Sequence, residues 1–177
     1  MKRIALLSDT HGFLDAKILK YVQQADEIWH AGDFGSLEVA DALAAIKPLR
    51  GVYGNVDGHL LRNIYPLHQK FFCEEVHVWM THIGGYPGHY APEVKNEIKI
   101  TKPDLFISGH SHILKIMPDK NIPGLLHINP GAAGIHGFHH LRTMVMFTIE
   151  NKTIKDLDVV ELGLRGLPEN LKNSISD

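Results

Sequence analysis

"RIALLSDTHG", residues 3–12, is the stretch on which the fold turns. Ile4 to Leu7 are apolar without a break, and Ser8, Asp9, Thr10 and His11 follow at once. A strand with one wet face alternates apolar and polar residues. A short unbroken run instead reads as a strand covered on both faces, the habit of parallel sheets. The polar residues then sit at its C-terminal end, where open α/β sheets carry their sites.

The pattern repeats outward from there. Residues 13–25 place Leu14, Ile18, Tyr21, Val22 and Ala25 at helical spacing. "EIWHAGD" (27–33) predicts a second strand stopping at Gly32 and Asp33. "SLEVADALAAI" (36–46) predicts a second helix, with Ser36 as N-cap and Pro48 just past its end. "LRGVYGNVDG" (49–58) predicts a third strand running into a polar loop. The first 58 residues therefore read βαβαβ, a parallel α/β pattern. The second half reads as mainly antiparallel: a hairpin from "KFFCEE" and "VHVWMTH", a helix over 91–102, then five strands joined mainly by short turns. Two Gly- and His-rich segments, 83–90 and 131–140, read as loops. Together these elements imply an α/β fold with two β-sheets face to face and helices outside. Residues 164–177 are polar and weakly periodic, which predicts a short C-terminal helix or tail after a single domain over 1–163.

Bulk properties narrow the function. A chain of 177 residues with 44% apolar and 21% charged residues can bury a sizeable core without disulfides or structural metals. Its net charge of −2 gives no electrostatic footprint for nucleic acid or an anionic membrane. The lone Cys73 forms no internal disulfide, the apolar run near the start is too short for a signal peptide, and no stretch is long enough to span a bilayer. The expectation is a soluble, cytoplasmic protein acting on a small substrate, with homo-oligomerisation left open. Histidine is the outlier, at thirteen copies.

Five predicted strands end in groups that bind metals: Asp9 and His11, Asp33, Asn55, His82, and the "SGHSH" pair His110 and His112. Each alone has an ordinary explanation, since Gly-Asp and Gly-Asn are common turn pairs. Seven oxygen and nitrogen ligands exceed the needs of one tetrahedral zinc, and they suit two ions sharing a bridge, with Asp33 the natural bridging carboxylate. The mix of carboxylate, imidazole and amide favours transition metals, manganese foremost with nickel, iron, zinc and cobalt as alternatives, over calcium and magnesium. Paired divalent ions are a standard device for hydroxide attack at phosphorus.

The segments "SDTHG", "GDFGS", "GNVDG", "THIGG" and "GHSH", in this order, resemble the motifs of the calcineurin-like metallophosphoesterase superfamily, nearest to its small bacterial and archaeal phosphodiesterases, over roughly residues 1–160. The resemblance implies a four-layer αββα sandwich and a di-metal site that hydrolyses phosphodiesters by attack of a bridging hydroxide. By position, Asp9, His11, Asp33 and His112 would hold one ion, and Asp33, Asn55, His82 and His110 the other. Asp33, Asn55 and Asp57 would carry the catalytic positions, and Asn129 of "INPGA" would support the site, with Ala132 where serine is more usual. Many members have a leaving-group acid, a histidine, directly after the motif asparagine; here that residue is Val56. His30 lies before the Asp33 turn and is a candidate supporting residue, while His136, His139 and His140 are candidates for the substrate side. Two alternatives stand beside this reading: a phosphomonoesterase with the same site, and a non-catalytic scaffold like the retromer subunit that shares the fold. All seven ligand positions are filled by competent residues, which favours the enzyme.

Overall fold

The computed structural model describes residues 1–166. The first part alternates as the sequence predicts: β1 (Lys2–Leu7), α1 (Ala16–Val22), β2 (Glu27–His30), α2 (Leu37–Ala44) and β3 (Leu49–Gly51). There follow α3 (His59–Ile64), β4 (His68–Cys73), β5 (Val76–Thr81), β6 (Gly85–Tyr86), β7 (His89–Tyr90), α4 (Pro92–Lys95), α5 (Glu97–Thr101), β8 (Leu105–Ile107), β9 (Leu114–Pro118), β10 (Leu126–Pro130), β11 (Leu141–Glu150) and β12 (Thr153–Leu164).

One five-stranded sheet has the order β12-β11-β1-β2-β3, and the other β4-β5-β8-β10-β9. In the first, β1, β2 and β3 run parallel while β11 is antiparallel to both β1 and β12. In the second, β5, β8 and β10 run parallel, and antiparallel pairing is confined to the outer pairs β4–β5 and β10–β9. The second half of the chain is thus less antiparallel than its short turns suggest. The β6–β7 hairpin and α4–α5 form a crossover long enough to bring β8 in parallel beside β5.

β1 shows why its apolar run is unbroken. Ala5 and Leu7 pack with Ile18 and Val22 of α1 and Val39 and Leu43 of α2. Ile4 and Leu6 point the other way, against Val78, Met80, Ile107 and Ile128 of the second sheet. Alternate residues of one strand therefore serve two apolar layers. On the far side, Val94 of α4 and Ile98 of α5 cover Trp79 and Phe106. The order helices, sheet, sheet, helices is the expected four-layer sandwich.

Several boundaries differ from expectation. α1 begins at Ala16 rather than residue 13, because the Asp15 carboxylate accepts from Ile18 N at 2.9 Å and fixes the first turn there. Ser36 holds the N-cap position of α2 but makes no side-chain cap bond. β3 stops at Gly51, and 52–58 are loop. The helix expected over 91–102 is two short helices meeting at Asn96. The 83–90 segment contains the β6–β7 hairpin, and α3 lies where no element was predicted. β12 runs one residue past the expected domain end, to Leu164; beyond Gly166, the expected C-terminal helix or tail lies outside the described residues. Among the described residues, no helix is long and apolar enough to cross a membrane.

Leu6→Ala, in the fully buried layer between the sheets, is expected to lower unfolding free energy by about 2–5 kcal/mol. Ile100→Ala, at a side chain 82% exposed, should cost less than about 0.5 kcal/mol. Urea unfolding of the two variants checks this; equal losses would mean that the inter-sheet layer does not dominate the core.

Candidate metal centre

The predicted strand ends converge at the seam of the two sheets. Asp9, Asp33 and Asn55 follow β1, β2 and β3 of one sheet, and His82, His110 and His112 follow β5 and β8 of the other. The turns that aim them are tight. Asp9, His11, Asp33, His110 and His112 all have left-handed backbones, with φ between 46° and 68°. Among the described residues nine non-glycine residues take positive φ, so more than half of this conformational cost falls on the candidate ligands. Neighbouring glycines allow the crowding. A Cβ on Gly54 would lie 2.0 Å from Asp33 Oδ1, and one on Gly32 would lie 2.6 Å from His82 Nδ1.

The side chains form two groups, Asp9 with His11 and His112, and Asp33 with His82 and His110, each with ligand atoms within 4.8 Å of one another. Asp33 Oδ2 lies between them, 3.1 Å from His82 Nε2 and 3.7 Å from His11 Nε2. Asn55 Oδ1 is 3.1 Å from His82 Nε2. His11 Nε2 and His112 Nε2 approach to 3.2 Å, and His112 Nε2 is 3.2 Å from Asp9 Oδ1. The structure thus brings together all seven residues picked from the sequence.

Two imidazoles are oriented by the backbone. His82 Nδ1 lies 2.8 Å from Ala31 O, so it carries the proton and Nε2 faces the centre. His139 Nε2 lies 3.0 Å from Gly134 O and donates to it, which leaves His139 Nδ1 to accept from His112 Nδ1 at 3.3 Å. His112 Nε2 is thereby left as a lone pair directed inward, the second-layer arrangement that metal-binding histidines use. Asp9 Oδ2 accepts from Ser8 Oγ at 2.6 Å and from His110 N at 3.1 Å, while Asp9 Oδ1 is buried with no hydrogen-bond partner. A buried carboxylate oxygen without a donor, among imidazole lone pairs, fits a divalent cation.

Charge on the side chains follows the same logic. Burial pushes the Asp33 carboxyl up, but the hydrogen bond and charge of His82 and the Val56 amide outweigh it, and the net direction is down. Burial pushes His82 down, yet Asp33 and Asp9 prevail and the net direction is up. Burial holds His11 and His110 below the usual range.

The supporting candidates separate. Asp57 accepts from Phe34 N, Gly35 N and Gly54 N at 3.2, 2.9 and 2.8 Å, so its carboxylate ties the Asp33 turn to the Asn55 turn and faces amides rather than the imidazole cluster. Asn129 donates to Gly109 O and Ser111 Oγ and braces the turn carrying His110 and His112. His30 accepts from Gly32 N and bonds Thr10 Oγ1; it makes no hydrogen bond to a candidate ligand side chain. His136 faces His11 with ring centroids 5.3 Å apart, and both line a cleft with His112 and His139. His140 is exposed and does not line that cleft. Two contributors had no signal in the sequence. Ser8 looks like a strand end but holds Asp9, and Arg62 of the unforeseen α3 bonds the carbonyls of Asp57 and Asn55 at 2.6 and 3.2 Å.

A family model described as the calcineurin-like phosphoesterase superfamily domain matches residues 1–152. A probable metallophosphoesterase from Methanothermobacter thermautotrophicus is 24% identical over 165 residues, covering 90% of this chain and 92% of that protein. The fold is shared with a predicted phosphoesterase from Streptococcus pneumoniae, at TM-score 0.66 and 20% identity over 90% of this chain and 89% of that one. It is shared as well with Vps29 from Entamoeba histolytica in complex with zinc, at TM-score 0.69 and 14% identity over 90% and 98% of the two chains.

His30 generates a test of the scaffold beneath the centre. Burial lowers its pKa to about 3, and burial lowers that of His127 to about 4. The unfolded chain takes up protons on these rings near pH ~6.5 that the native chain refuses, so native stability is full above ~6.5 and falls as pH drops. The urea midpoint of metal-free protein should therefore fall between about pH 7 and pH 4.5, and His30→Gln should flatten part of that fall. An unchanged slope in the variant would show that His30 is not held neutral.

Proposed function

The chain belongs to the calcineurin-like phosphoesterase superfamily, and from that premise we propose that it is a metal-dependent hydrolase of phosphodiesters. The observation that carries this reading is the pair of three-residue groups with Asp33 Oδ2 between them and Asp9 Oδ1 buried without a partner. In this reading Asp9, His11, Asp33 and His112 hold one divalent ion, and Asp33, Asn55, His82 and His110 hold the other. When bound, such a pair supplies an activated water and positive charge for in-line attack at phosphorus. The hard oxygens of Asp9, Asp33 and Asn55 beside imidazole nitrogens support manganese first, with zinc, iron, nickel or cobalt as competitors.

The chain's own residues do the rest. Asp33 neutralises charge in both half-sites, and the Val56 amide holds its outer oxygen at 3.0 Å. The His139–Gly134 link keeps His112 in the ligating tautomer. Substrate enters over a cleft of about 410 Å³ lined by His11, His110, His112 and His136. His139 has both nitrogens engaged, which leaves His136, whose ring faces His11, as the proposed donor of the leaving group's proton. A diester needs less counter-charge than a monoester dianion, and among the described residues no arginine or lysine lines this cleft, Arg165 bonding only the Gly137 carbonyl at its border, which favours the diesterase over the phosphatase reading. The expected setting is the cytoplasm.

Chelated protein reloaded with each transition metal in turn should hydrolyse aryl diesters faster than aryl monoesters; monoester preference under every metal would overturn the diesterase reading. Asp33→Asn should lose more activity than the roughly 10–100-fold that loss of a supporting partner costs, together with metal content. His139→Ala should weaken metal affinity by about that 10–100-fold while leaving the fold intact by circular dichroism. Full metal occupancy in both variants would remove the two assignments.

A leaving-group series tests the proton donor. A positioned acid contributes roughly 10²–10⁴-fold with poor leaving groups. If His136 is that acid, the wild-type rate falls gently as leaving-group pKa rises and His136→Ala makes the fall steep. Val56→His, at a half-exposed side chain whose backbone contact to Asp33 survives the change, should restore the gentle slope in that variant. A gentle slope that persists in His136→Ala would assign the proton elsewhere.

A further inference from the structure

A second cavity opens beside His110 and Ser111, bounded by the β6–β7 hairpin and β9, with a volume of about 440 Å³. Most of its wall is apolar, from residues such as Ile83, Pro92 and Ile113, but two polar groups face the same space. Lys115 is half-buried, its ammonium 3.4 Å from the centroid of the Tyr86 ring. Among the described residues the lysines paired with carboxylates are Lys2, Lys70, Lys152 and Lys155, and Lys115 is not one of them. An ammonium held over a ring face keeps its position and still has N–H donors for an anion.

The second group is His127 on β10, which is 1% exposed. Ser108 Oγ donates to Gly85 O at 2.9 Å, so toward His127 Nε2, 3.0 Å away, it accepts. The proton is therefore on Nε2, and Nδ1 is a bare acceptor, buried with no partner. Burial keeps the ring neutral, its pKa lowered to about 4. A buried acceptor of this kind is costly unless a donor reaches it.

We propose that this cavity is the subsite for one ester arm of the substrate and that it takes a nucleotide. The arm's own phosphate lies at Lys115, its base and sugar lie against Ile83 and Ile113, and an amino group of the base donates to His127 Nδ1. The assignment of the nucleotide as a substrate arm rests on the phosphodiesterase reading of the adjoining centre. The cavity's recognition of a nucleotide does not, and can be measured without metal.

The full chain, free of metal, is titrated with AMP, adenosine, inorganic phosphate and purine riboside monophosphate, which lacks the amino group, and followed by amide NMR shifts. AMP should shift Tyr86, Lys115 and His127, and bind about 10-fold or more tightly than adenosine or phosphate. Purine riboside monophosphate should bind several-fold more weakly than AMP. Lys115→Ala should cost about 10-fold in AMP affinity with the spectrum otherwise native. Shifts clustered instead around Lys95, Lys99 and Lys102, or equal affinity for AMP and phosphate, would overturn the subsite. Equal affinity for the two purine nucleotides would remove the role of His127. If AMP binds as described and the metal-loaded protein hydrolyses no diester, the phosphodiesterase reading fails and the nucleotide site stands. If diesters are hydrolysed and AMP does not shift these residues, the subsite alone fails.

Discussion

Two carboxylates buried side by side set the terms for this molecule. Asp9 and Asp33 are 0% and 2% exposed. Each carries charge that protein interior does not tolerate without compensation. Asp33 draws on His82 and a backbone amide. Asp9 draws on a hydroxyl and an amide for one oxygen and on nothing for the other. Much of the surrounding structure serves to hold these groups in place. The left-handed turns aim them, Gly54 leaves room for Asp33 and Gly32 for its partner His82, and Asp57 ties two of the turns together.

The balance between strain and packing follows. Left-handed conformations at five candidate ligand positions oppose folding, and so do the crowded turns. They are tolerated because the strands behind them are among the best-buried parts of the chain. Ile4 to Leu7, Ile28 and Trp29, Val78 to Met80 and Leu105 to Ile107 are all fully buried. A rigid, doubly covered sheet end can impose backbone geometry that an exposed loop would relax. This also explains why the supporting hydrogen bonds run mainly to backbone: carbonyls of Ala31 and Gly134 for the imidazoles, amides of Phe34, Gly35 and Gly54 for Asp57.

Much of this was legible in the chain itself. An apolar run ending in Asp-Thr-His announces a doubly buried strand with ligands at its tip, and the structure confirms that strand and its two-sided burial. Ligand types were legible because metals demand particular side chains. What stayed hidden depends on three-dimensional neighbours rather than residue type. Nothing in "TMVMFTIEN" says that β11 returns to pair with β1, because an apolar strand fits either sheet. Arg62 was invisible because α3 has only one buried side chain, Leu61, and so no periodic signal. The sequence marked His139 as a candidate for the substrate side and gave His127 no role. One orients a ligand and the other lies buried with a free acceptor, a difference set by which carbonyl or hydroxyl each meets.

The seam placement of the centre has a consequence for how the chain comes into being. A chain emerging N-terminus first offers Asp9, His11, Asp33 and Asn55 early, all from the first sheet. Three of the four imidazoles, His82, His110 and His112, arrive with the second sheet. The unfinished chain therefore presents mostly oxygen, a poor trap for transition metals, and the nitrogen-rich pocket closes only when the sheets dock. On the proposed reading, ion capture would report that the two sheets have met, and a bound pair would rivet one to the other across a hundred residues of sequence.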